Sequence, residues 1–346
     1  EWVYPNGLYE NSYPDPYTEI SASANVDAEM YGMGIAVGDY DHDRDLDYYV
    51  TNIGWNGLFD NNGSGSFSER GGVAGVRNDS VNGALTTGWG TAWLDYDLDG
   101  WQDLVCANGH ILLIDIFENA TADPNKLWHN NGDGTFTDVS VAMGVDDTAS
   151  ARGLAIADYD NDGDHDFMTS VIALDTPITV RSRLYRNDNN NGNHYLKVRV
   201  QGTYNNRDGF GTQLVIHANG TSWVHEVNGG SSHMSQNSSA AIFGLGSATS
   251  ADSLFVIWPD GNVQLLQNIP ADTSILVIED SLQFLSTHPF LPPPFETTIA
   301  PNPFQDQVKI TVRRQTLAPL HLEIVDLMGK VVLQRAWPAG GSETVE

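Results

Sequence analysis

The chain contains the ten-residue stretch Gly34-Ile-Ala-Val-Gly-Asp39-Tyr-Asp-His-Asp43 and repeats its pattern twice without gaps. The two further copies are Gly90-Thr-Ala-Trp-Leu-Asp95-Tyr-Asp-Leu-Asp99 and Gly153-Leu-Ala-Ile-Ala-Asp158-Tyr-Asp-Asn-Asp162. Their first aspartates follow one another at intervals of 56 and 63 residues. A period of a few tens of residues is typical of repeat architectures, so one structural unit is expected to recur along the chain.

A second pattern alternates with the first and predicts a β-hairpin in each unit. It reads Leu58-Phe-Asp-Asn-Asn-Gly-Ser-Gly-Ser-Phe67 and Leu127-Trp-His-Asn-Asn-Gly-Asp-Gly-Thr-Phe136, with shorter forms at Leu184-Tyr-Arg-Asn187 and at Leu8-Tyr-Glu-Asn11 with Tyr17-Thr-Glu-Ile20. Asn-Gly and Asp-Gly pairs provide the positive φ angles that tight β-turns need. Alternating apolar stretches beside the aspartates predict further strands, and no window has a sustained helical period.

A unit of roughly 55 to 60 residues with about four strands fits a β-propeller blade. Residues 1–190 are therefore predicted to form blades. The patterns account for three to four blades, the low end of the roughly 4 to 8 found in closed propellers. Two interpretations stay open: N-terminal blades are missing from this chain, or the arc is open and another subunit covers its edge strands.

Three acidic loops begin at the repeated aspartates, with carboxylates at positions 1, 3, 5 and 9 of each. This spacing, with a glycine at position 6 in two loops, is the device by which an EF-hand loop converges on one cation. All-oxygen, mostly anionic ligands favour Ca²⁺, and about three ions are expected. Position 7 is expected to donate its backbone carbonyl. The predicted ligands are Asp39, Asp41, Asp43, Asp45, Asp47, Asp95, Asp97, Asp99, Trp101, Asp103, Asp158, Asp160, Asp162, Asp164 and Asp166.

The alternative is that these loops are merely solvated acidic turns, as most aspartate runs are. However, fourteen aspartates in three nine-residue windows would repel one another in a compact fold unless a cation neutralised them. In the first loop Arg44 stands where the other two have glycine. Bound ions would add stability comparable to that of a whole domain, so their first role is expected to be structural.

The composition excludes several classes of partner. Of 346 residues, 45 are Asp or Glu and 16 are Lys or Arg, which gives a net charge of −29 and a pI near 4.3. Such a chain is not expected to bind nucleic acid or an anionic membrane surface, because both need a basic face. Apolar stretches such as residues 111–114 are too short to span a bilayer. Cys106 is the single cysteine, so neither an intrachain disulfide nor a redox motif is expected.

The acidic repeats resemble the FG-GAP or VCBS-type calcium-binding blades of integrin α-subunit propellers and of many bacterial surface proteins. The next segment resembles the ASPIC/UnbV domain of cartilage acidic protein-like chains, through Asn206-Arg-Asp-Gly-Phe-Gly-Thr212, Glu226-Val-Asn-Gly-Gly-Ser-Ser-His-Met-Ser-Gln236 and Val256-Ile-Trp-Pro-Asp-Gly261. On its own, this segment has about seven strand-like stretches at period 2, which predict a β-sandwich. They include residues 195–200, 212–217, 254–258 and 274–278.

The composition changes after residue 280. His288-Pro-Phe-Leu-Pro-Pro-Pro-Phe295 predicts a stiff extended linker. Beyond it, Ala300-Pro-Asn-Pro-Phe304 and Leu320-His-Leu-Glu-Ile-Val-Asp-Leu-Met-Gly-Lys330 resemble the C-terminal sorting domain of the bacterial type IX secretion system, which implies export to the cell surface or medium. Because the chain starts at Glu1 without a signal segment and stops at Glu346, we expect a mature or trimmed sequence, either a fragment or a subunit that neighbours complete.

The predicted fold is therefore all-β, with four parts. They are propeller blades in residues 1–190, an ASPIC/UnbV sandwich in 191–280, a proline-rich linker in 281–296 and a partial, Ig-like sorting domain in 297–346.

The chain is expected not to be an enzyme, since it has no Gly-x-Ser-x-Gly elbow, no His-Glu-x-x-His motif and no Walker loop. His110 and His233 are polar outliers, although a histidine in a turn is more often simply hydrogen-bonded there. The first hypothesis is an extracellular, calcium-stabilised scaffold that binds other proteins or copies of itself. The alternative is a carbohydrate-binding or polysaccharide-processing protein, in which Trp55, Trp89, Trp93 and Trp101 would stack on sugars instead of forming inter-blade core.

Overall fold

The computed structural model describes residues 4–11, 14–81, 83–111, 123–172 and 181–279, and strands between residues 285 and 345. It is nearly all β, in a β-propeller-like arrangement, so the predicted fold class is confirmed. The chain divides into two compact units, Glu1–Thr287 and His288–Glu346.

The first unit begins with an N-terminal layer, residues 4–11 and 14–31. This layer contains β1 (Tyr4–Pro5), β2 (Tyr9–Glu10), β3 (Thr18–Glu19), the single turn of α1 (Ser21–Ala24) and β4 (Glu29–Met30). Strand β1 pairs with β4, and β2 pairs with β3 in the hairpin that the degenerate N-terminal pattern predicts. Apolar side chains of the layer, among them Ala24, Val26 and Met30, share a buried core with Phe59 and Phe67. The layer therefore covers one face of the sheet that follows.

Three antiparallel sheets, the first, second and third blades, follow along the chain. The first blade contains β5 (Ile35–Gly38), β6 (Asp47–Val50), β7 (Gly57–Asn61) and β8 (Phe67–Glu69), and is followed by α2 (Gly71–Ala74), β9 (Ser80–Val81) and β10 (Ala84–Leu85). The second contains β11 (Gly88–Leu94), β12 (Asp103–Asn108), β13 (Lys126–Asn130) and β14 (Phe136–Asp138). The third contains β15 (Ala151–Ala157), β16 (Asp166–Val171) and β17 (Arg183–Tyr185). In each blade an acidic loop joins the first two strands.

Hydrophobic cores hold neighbouring blades together. Tyr49 lies opposite Leu58 in the first blade, and this buried pair packs against the second blade, including Trp128. Val105 lies opposite Leu127 in the second blade, and this pair packs against the third. Because side chains alternate along a strand, each blade directs one apolar row toward its neighbour.

The sandwich module forms the rest of the first unit. Its strands are β18 (His194–Gln201), β19 (Gln213–Ala218), β20 (Thr221–Glu226), β21 (Ala241–Gly246), β22 (Ser250–Ile257), β23 (Val263–Pro270), β24 (Thr273–Ile278) and β25 (Leu285–Thr287). They form two four-stranded sheets, ordered β21-β18-β24-β25 and β20-β19-β22-β23. Fully buried apolar residues such as Leu196, Leu214 and Leu254 form the core between the sheets. The four strands quoted from the sequence are confirmed as β18, β19, β22 and β24.

A loop of the sandwich module contacts the first strand of every blade. In this bridging loop, residues 231–238, Ser232 N–H donates to the carbonyl of Ile35 on β5 at 2.6 Å. The Ser232 hydroxyl accepts from Thr91 N–H on β11 at 3.0 Å. Ile156 on β15 accepts from Ser238 N–H at 2.8 Å and donates to Asn237 Oδ1 at 3.0 Å. The bridging loop is thus hydrogen-bonded to the first strand of each of the three described blades.

The second unit contains β26 (Phe295–Ala300), β27 (Lys309–Arg314), β28 (Leu320–Val325), β29 (Val331–Trp337) and β30 (Glu343–Val345). Strands β26, β27 and β30 form one sheet, and β28 pairs with β29 in another. Of the predicted proline-rich linker, 281–296, residues 281–284 and 288–294 lie outside the described residues, and the rest belongs to β25 and β26. Within the part of the chain that the structure describes, no helix has the length and apolarity needed to cross a membrane.

Candidate metal centres

The three acidic loops share one backbone path with two left-handed residues. Position 6 has a φ of 73° at Arg44, 99° at Gly100 and 100° at Gly163. Position 4 is also left-handed in each loop, with φ values of 65°, 59° and 63° at His42, Leu98 and Asn161. Glycine adopts such angles freely, whereas for Arg44 this conformation costs about 1–2 kcal/mol. The first loop therefore keeps the common path despite lacking glycine.

Position 9 is a structural carboxylate in all three loops. Asp47, Asp103 and Asp166 each accept the N–H of the tyrosine at position 2 on Oδ2, at 3.0–3.3 Å. Their Oδ1 atoms accept the N–H of the asparagine that ends the Leu-x-x-Asn pattern, at 2.7–2.8 Å. Each loop is thereby tied to the third strand of its own blade, which explains why the two sequence patterns recur together.

The aspartates at positions 1 and 5 accept hydrogen bonds from backbone N–H groups of their own loop. The first aspartate of each loop accepts the N–H of position 6 at 2.9–3.3 Å. The aspartate at position 5 accepts the N–H of position 7 at 2.8–3.1 Å. These carboxylates keep unused acceptor capacity, because a carboxylate offers about four acceptor sites.

Carboxylates converge in every loop. Among the described residues, four groups have ligand atoms within 4.8 Å of one another: Asp39, Asp41 and Asp43; Asp95, Asp97 and Asp103; Asp97, Asp99 and His129; Asp158, Asp160 and Asp166. Positions 1 and 3 belong to a group in all three loops. Positions 5 and 9 each join a group in two of the loops, and position 7 joins none among the described residues.

Five predicted ligands lie outside these groups in the described part of the chain. Asp47 makes the structural contacts given above, and Asp162 accepts the N–H of Asp164. Asp164 accepts Asn189 N–H at 2.7 Å. The Trp101 ring stacks on the His42 ring at 3.9 Å between centroids. Asp45 lies against Gly63, where a Cβ atom would overlap its carboxylate.

The donor set fits a hard divalent cation. Asp97 Oδ1 and Asp158 Oδ1 are buried and have no hydrogen-bond partner among the described residues. Burial raises the pKa of Asp39 and of Asp103 to about 7 and that of Asp47 to about 8, and neighbouring carboxylates add to the rise. A bound divalent cation such as Ca²⁺ would add positive charge and further contacts to carboxylates crowded in this way.

Sequence reasoning missed the residue that precedes each hairpin asparagine. This position holds Asp60, His129 and Arg186 in the three blades. His129 Nδ1 lies 3.2 Å from Asp103 Oδ1 and 3.6 Å from Asp97 Oδ2. The interaction with the nearby Asp103 carboxylate is the main reason why the pKa of His129 rises to about 9. The repeated hairpin pattern was a usable signal, because it places this position next to the acidic loop in each blade.

Lys197, on strand β18 of the sandwich module, is a second residue that was missed. Its Nζ donates to Asp158 Oδ2 at 2.7 Å and to Asn161 Oδ1 at 3.3 Å, both in the third loop. Nothing in the local sequence signals this contact, because 39 residues separate Lys197 from Asp158.

The acidic loops also form the joint between the blades and the sandwich module. Asp39 Oδ2 accepts Val224 N–H of β20 at 3.0 Å. In the second loop, the carbonyl of Leu98 accepts Gly246 N–H of β21 at 2.9 Å. Gly244 permits this approach, since a Cβ atom there would overlap Asp95 Oδ2. With the Lys197 contact, each loop meets a different strand of the sandwich module.

The two histidines singled out from the sequence lie away from the acidic loops. His110 Nδ1 lies 3.5 Å from Asp123 Oδ2, and His233 Nδ1 lies 3.0 Å from the carbonyl of Met33.

The four tryptophans considered for sugar stacking pack against protein groups. Trp93 belongs to an inter-blade core and Trp101 stacks on His42. Arg77 and Arg152 lie over the rings of Trp55 and Trp89.

Comparison with known proteins gives three family matches in one chain. Residues 95–169, which hold the second and third loops, match the model of the FG-GAP-like repeat. Residues 202–283 match the ASPIC and UnbV family, and residues 298–345 match the secretion system C-terminal sorting domain. The chain carries all three modules that its motifs resemble. The sorting module indicates a secreted protein.

Among curated proteins, cartilage acidic protein 1 of Homo sapiens is 47% identical over 55 residues, in the ASPIC and UnbV region. The proteins of the same name from Mus musculus and Xenopus tropicalis are each 46% identical over 55 residues. These alignments cover 16% of this chain and 8% of each relative. A solved structure, the V. cholerae biofilm matrix protein Bap1, matches 97% of this chain and 67% of its own at 10% identity, with a TM-score of 0.27 that is too low to indicate a common fold.

Proposed function

We propose that the protein is a non-enzymatic extracellular scaffold of the bacterial cell surface, stabilised by about three Ca²⁺ ions, that binds other proteins or copies of itself. The observation that carries this proposal is the double role of the acidic loops. Each loop gathers carboxylates and also contacts the sandwich module. A cation in a loop therefore stiffens the blade and its joint with that module at once.

In this proposal, specific positions of the acidic loops provide the ligands for each cation. Positions 1 and 3 of each loop supply carboxylate oxygens to the cation, and position 9 joins them in the second and third loops. Bound Ca²⁺ adds positive charge among the crowded carboxylates, beyond that of His129 in the second loop and Lys197 in the third. At free calcium about 100 times the dissociation constant, each site adds about 2.7 kcal/mol to the free energy of unfolding.

Secretion of the protein supports the proposal that calcium stabilises it. The sorting module indicates secretion, and extracellular calcium modules work with dissociation constants of roughly 10⁻⁴–10⁻³ M. The net charge of −29 favours solubility but destabilises the folded state, because like charges repel one another in a compact chain. Bound cations reduce that repulsion.

The first test is a calcium titration of EGTA-stripped protein by isothermal titration calorimetry. We expect about three binding events in the wild type. The triple variant Asp41→Asn, Asp97→Asn and Asp160→Asn removes the position-3 charge from each loop and should abolish most of the binding. A matched triple variant at the exposed residues Asp27, Asp208 and Asp252, each changed to Asn, removes the same charge and should bind as the wild type does. Absence of calcium binding to the wild type would end the proposal.

A second test addresses the non-enzymatic part. Purified protein in millimolar calcium should release no reducing ends from a panel of polysaccharides, with a commercial glycanase as positive control. Sustained release of sugar above the protein-free blank would favour the polysaccharide-processing alternative.

A further inference from the structure

The third acidic loop already contains a buried positive charge. Lys197 Nζ, on β18, lies 2.7 Å from Asp158 Oδ2 and 3.3 Å from Asn161 Oδ1. The side chains of Lys197 and Asp158 are only 11% and 1% exposed. A buried ammonium group is costly without an anionic partner, so loss of either member of this pair would leave the other charge unpaired. The pair is therefore part of the joint between the third blade and the sandwich module.

Strand β18 directs Lys197 into the loop. Residues two apart on a strand lie on the same face, so Tyr195 and Lys197 point together. The Tyr195 ring packs against the loop at Gly163, where a Cβ atom would overlap it. Leu196 and Val198 lie on the opposite face, in the core of the sandwich module. The position of the ammonium group thus follows from the register of a strand that is paired on both sides.

The other two loops contact the sandwich module through uncharged groups. Asp39 Oδ2 in the first loop accepts Val224 N–H, and the carbonyl of Leu98 in the second loop accepts Gly246 N–H. The third loop differs from them because its partner in the sandwich module is a charged side chain.

Asp158 is required by both the lysine and a metal. Its Oδ2 accepts Lys197 Nζ and, at 3.2 Å, Gly163 N–H. Its Oδ1 is buried without a partner among the described residues, and Asp158 forms the converging group of this loop with Asp160 and Asp166. A divalent cation on Oδ1 would share one carboxylate with the ammonium group. Two positive charges so close together repel strongly, because burial reduces their screening by water and salt.

A polar cavity beside the pair gives the ammonium group room to move. The cavity has a volume of about 50 Å³ and is lined by Asp158 and Lys197 together with His165, Asn237 and Ser238. A space of this size and polarity can hold a few water molecules. The ammonium group can therefore leave Asp158 and remain solvated while the strand that carries it stays in place.

We infer that Lys197 is a built-in counter-ion of the third loop, which weakens calcium binding there and holds the loop to β18 when calcium is absent. This inference rests on the proposed function and assigns the regulation of one of its metal sites. Calcium and the lysine compete for Asp158, so the third loop keeps a cation at low calcium as well as at high calcium.

The test isolates the third loop in the full chain. A background variant, Asp41→Asn with Asp97→Asn, removes the position-3 charge from the first and second loops. Isothermal titration of this EGTA-stripped variant with calcium chloride should show one binding event. Adding Lys197→Met removes the ammonium charge and keeps the aliphatic stem. We expect the dissociation constant to fall about tenfold or more, because the repulsion is lost.

Lys126→Met in the same background is the matched control. Lys126 Nζ also lies 2.7 Å from a carboxylate oxygen, Asp138 Oδ2, but this pair joins β13 to β14 outside the acidic loops. Its loss should leave the dissociation constant for calcium unchanged.

Thermal stability provides a second readout, measured by differential scanning fluorimetry without the background substitutions. Lys197→Met should lower the melting temperature clearly in excess EGTA and much less in millimolar calcium, because the variant gains more from the bound ion than the wild type does. Lys126→Met should have the same effect in both conditions. Lys197→Gln is a second neutral variant, whose amide can still donate to Asp158. It should also bind calcium more tightly, and it decides the question if the methionine variant does not fold.

Two results would overturn the role of Lys197: calcium affinity that neither neutral variant increases, or a loss of melting temperature that is equal in EGTA and in calcium. Either result leaves the proposed function standing, provided that the wild type binds calcium. A background variant that binds no calcium while the wild type does would remove the third loop from the metal sites and refute this inference with it. A wild type that binds no calcium would refute the proposed function itself.

Discussion

At the scale of single residues, the acidic loops combine backbone strain with side-chain bonding. Arg44 has a left-handed backbone at a position where the other loops have glycine. Its N–H nevertheless reaches Asp39 Oδ1 at 3.3 Å, the same bond that Gly100 and Gly163 make in their loops. The loop thus tolerates an unfavourable residue because the surrounding hydrogen bonds fix its path.

Replacing Arg44 with glycine should therefore stabilise the protein. We expect a gain of about 0.5–1 kcal/mol in the free energy of unfolding, since relief of the left-handed strain is partly offset by the larger chain entropy of glycine. Urea unfolding followed by tryptophan fluorescence measures the change. Arg44→Ala keeps the Cβ atom and should give no such gain. If alanine stabilised as much as glycine, the arginine charge and not the backbone angle would be responsible.

Glu279 is a residue whose charge stabilises the sandwich module. Its Oε2 accepts the N–H groups of Thr203, Tyr204 and Asn205 at 2.8–2.9 Å, and its Oε1 accepts the side-chain amide of Asn205. Burial alone would raise the pKa of Glu279, but these hydrogen bonds outweigh burial and lower the pKa to about 2. The ordinary value is 4.5, so the carboxylate stabilises the fold above about pH 4.5 and loses that effect as the pH falls towards 2.

Glu279→Gln should consequently lower the melting temperature at neutral pH. The glutamine side chain replaces one acceptor oxygen with an NH₂ donor, which faces the N–H donors of residues 203–205 and cannot bond to them. The difference between variant and wild type should shrink steadily from pH 5 to pH 2. Differential scanning fluorimetry across this range measures it, and Asp252→Asn, at an exposed carboxyl of the same module, should show little difference at any pH. A difference in melting temperature that stayed constant with pH would contradict a stabilising role of the Glu279 charge.

At the scale of elements, the bridging loop connects three sheets that have no strand pairing with one another. Sequence patterns predicted the sheets, but the first strand of each is an edge strand, and an edge strand presents unpaired N–H and C=O groups. Residues 231–238 occupy part of those edges by hydrogen bonds to Ile35, Thr91 and Ile156. One loop of the sandwich module thereby links the three blades of the described part of the chain.

Ser232→Ala should weaken this link measurably. The substitution leaves the buried N–H of Thr91 without its acceptor, which costs about 1–3 kcal/mol. Met234→Ala is the control from the same loop, because Met234 is 95% exposed and its loss should leave the free energy of unfolding within about 0.5 kcal/mol of wild type. Equal stability of both variants in urea unfolding would show that the bridging loop does not support the blades.

At the scale of the whole molecule, the blades and the sandwich module belong to one compact unit, Glu1–Thr287. Each acidic loop lies at the joint between them, so a metal bound in the loops acts on both. The two parts are therefore expected to unfold together and not as independent domains.

Calcium removal should shift one cooperative transition of this unit to lower temperature without splitting it. Differential scanning calorimetry in calcium and then in excess EGTA measures the shift, and an equal concentration of magnesium should restore it poorly, because Mg²⁺ demands a stricter octahedral geometry. Two well-separated transitions, of which only one responds to calcium, would contradict a shared calcium-dependent joint.

Much of this molecule could be predicted from the sequence. Strand pairs, hairpin turns and acidic loops depend on short-range spacing, namely apolar alternation, Asn-Gly turns and carboxylates at every second position. The converging groups of Asp39, Asp41 and Asp43 and of Asp158 and Asp160 follow directly from that spacing. The backbone role of position 9 was not predicted, because a carboxylate that accepts N–H groups looks the same in sequence as one that binds a metal.

Only the tertiary structure decided how these parts meet. Lys197 reaches Asp158, Val224 reaches Asp39 and Ser232 reaches Thr91 over separations of 39, 185 and 141 residues. Such contacts depend on chain closure across separate sheets, and no local pattern encodes them.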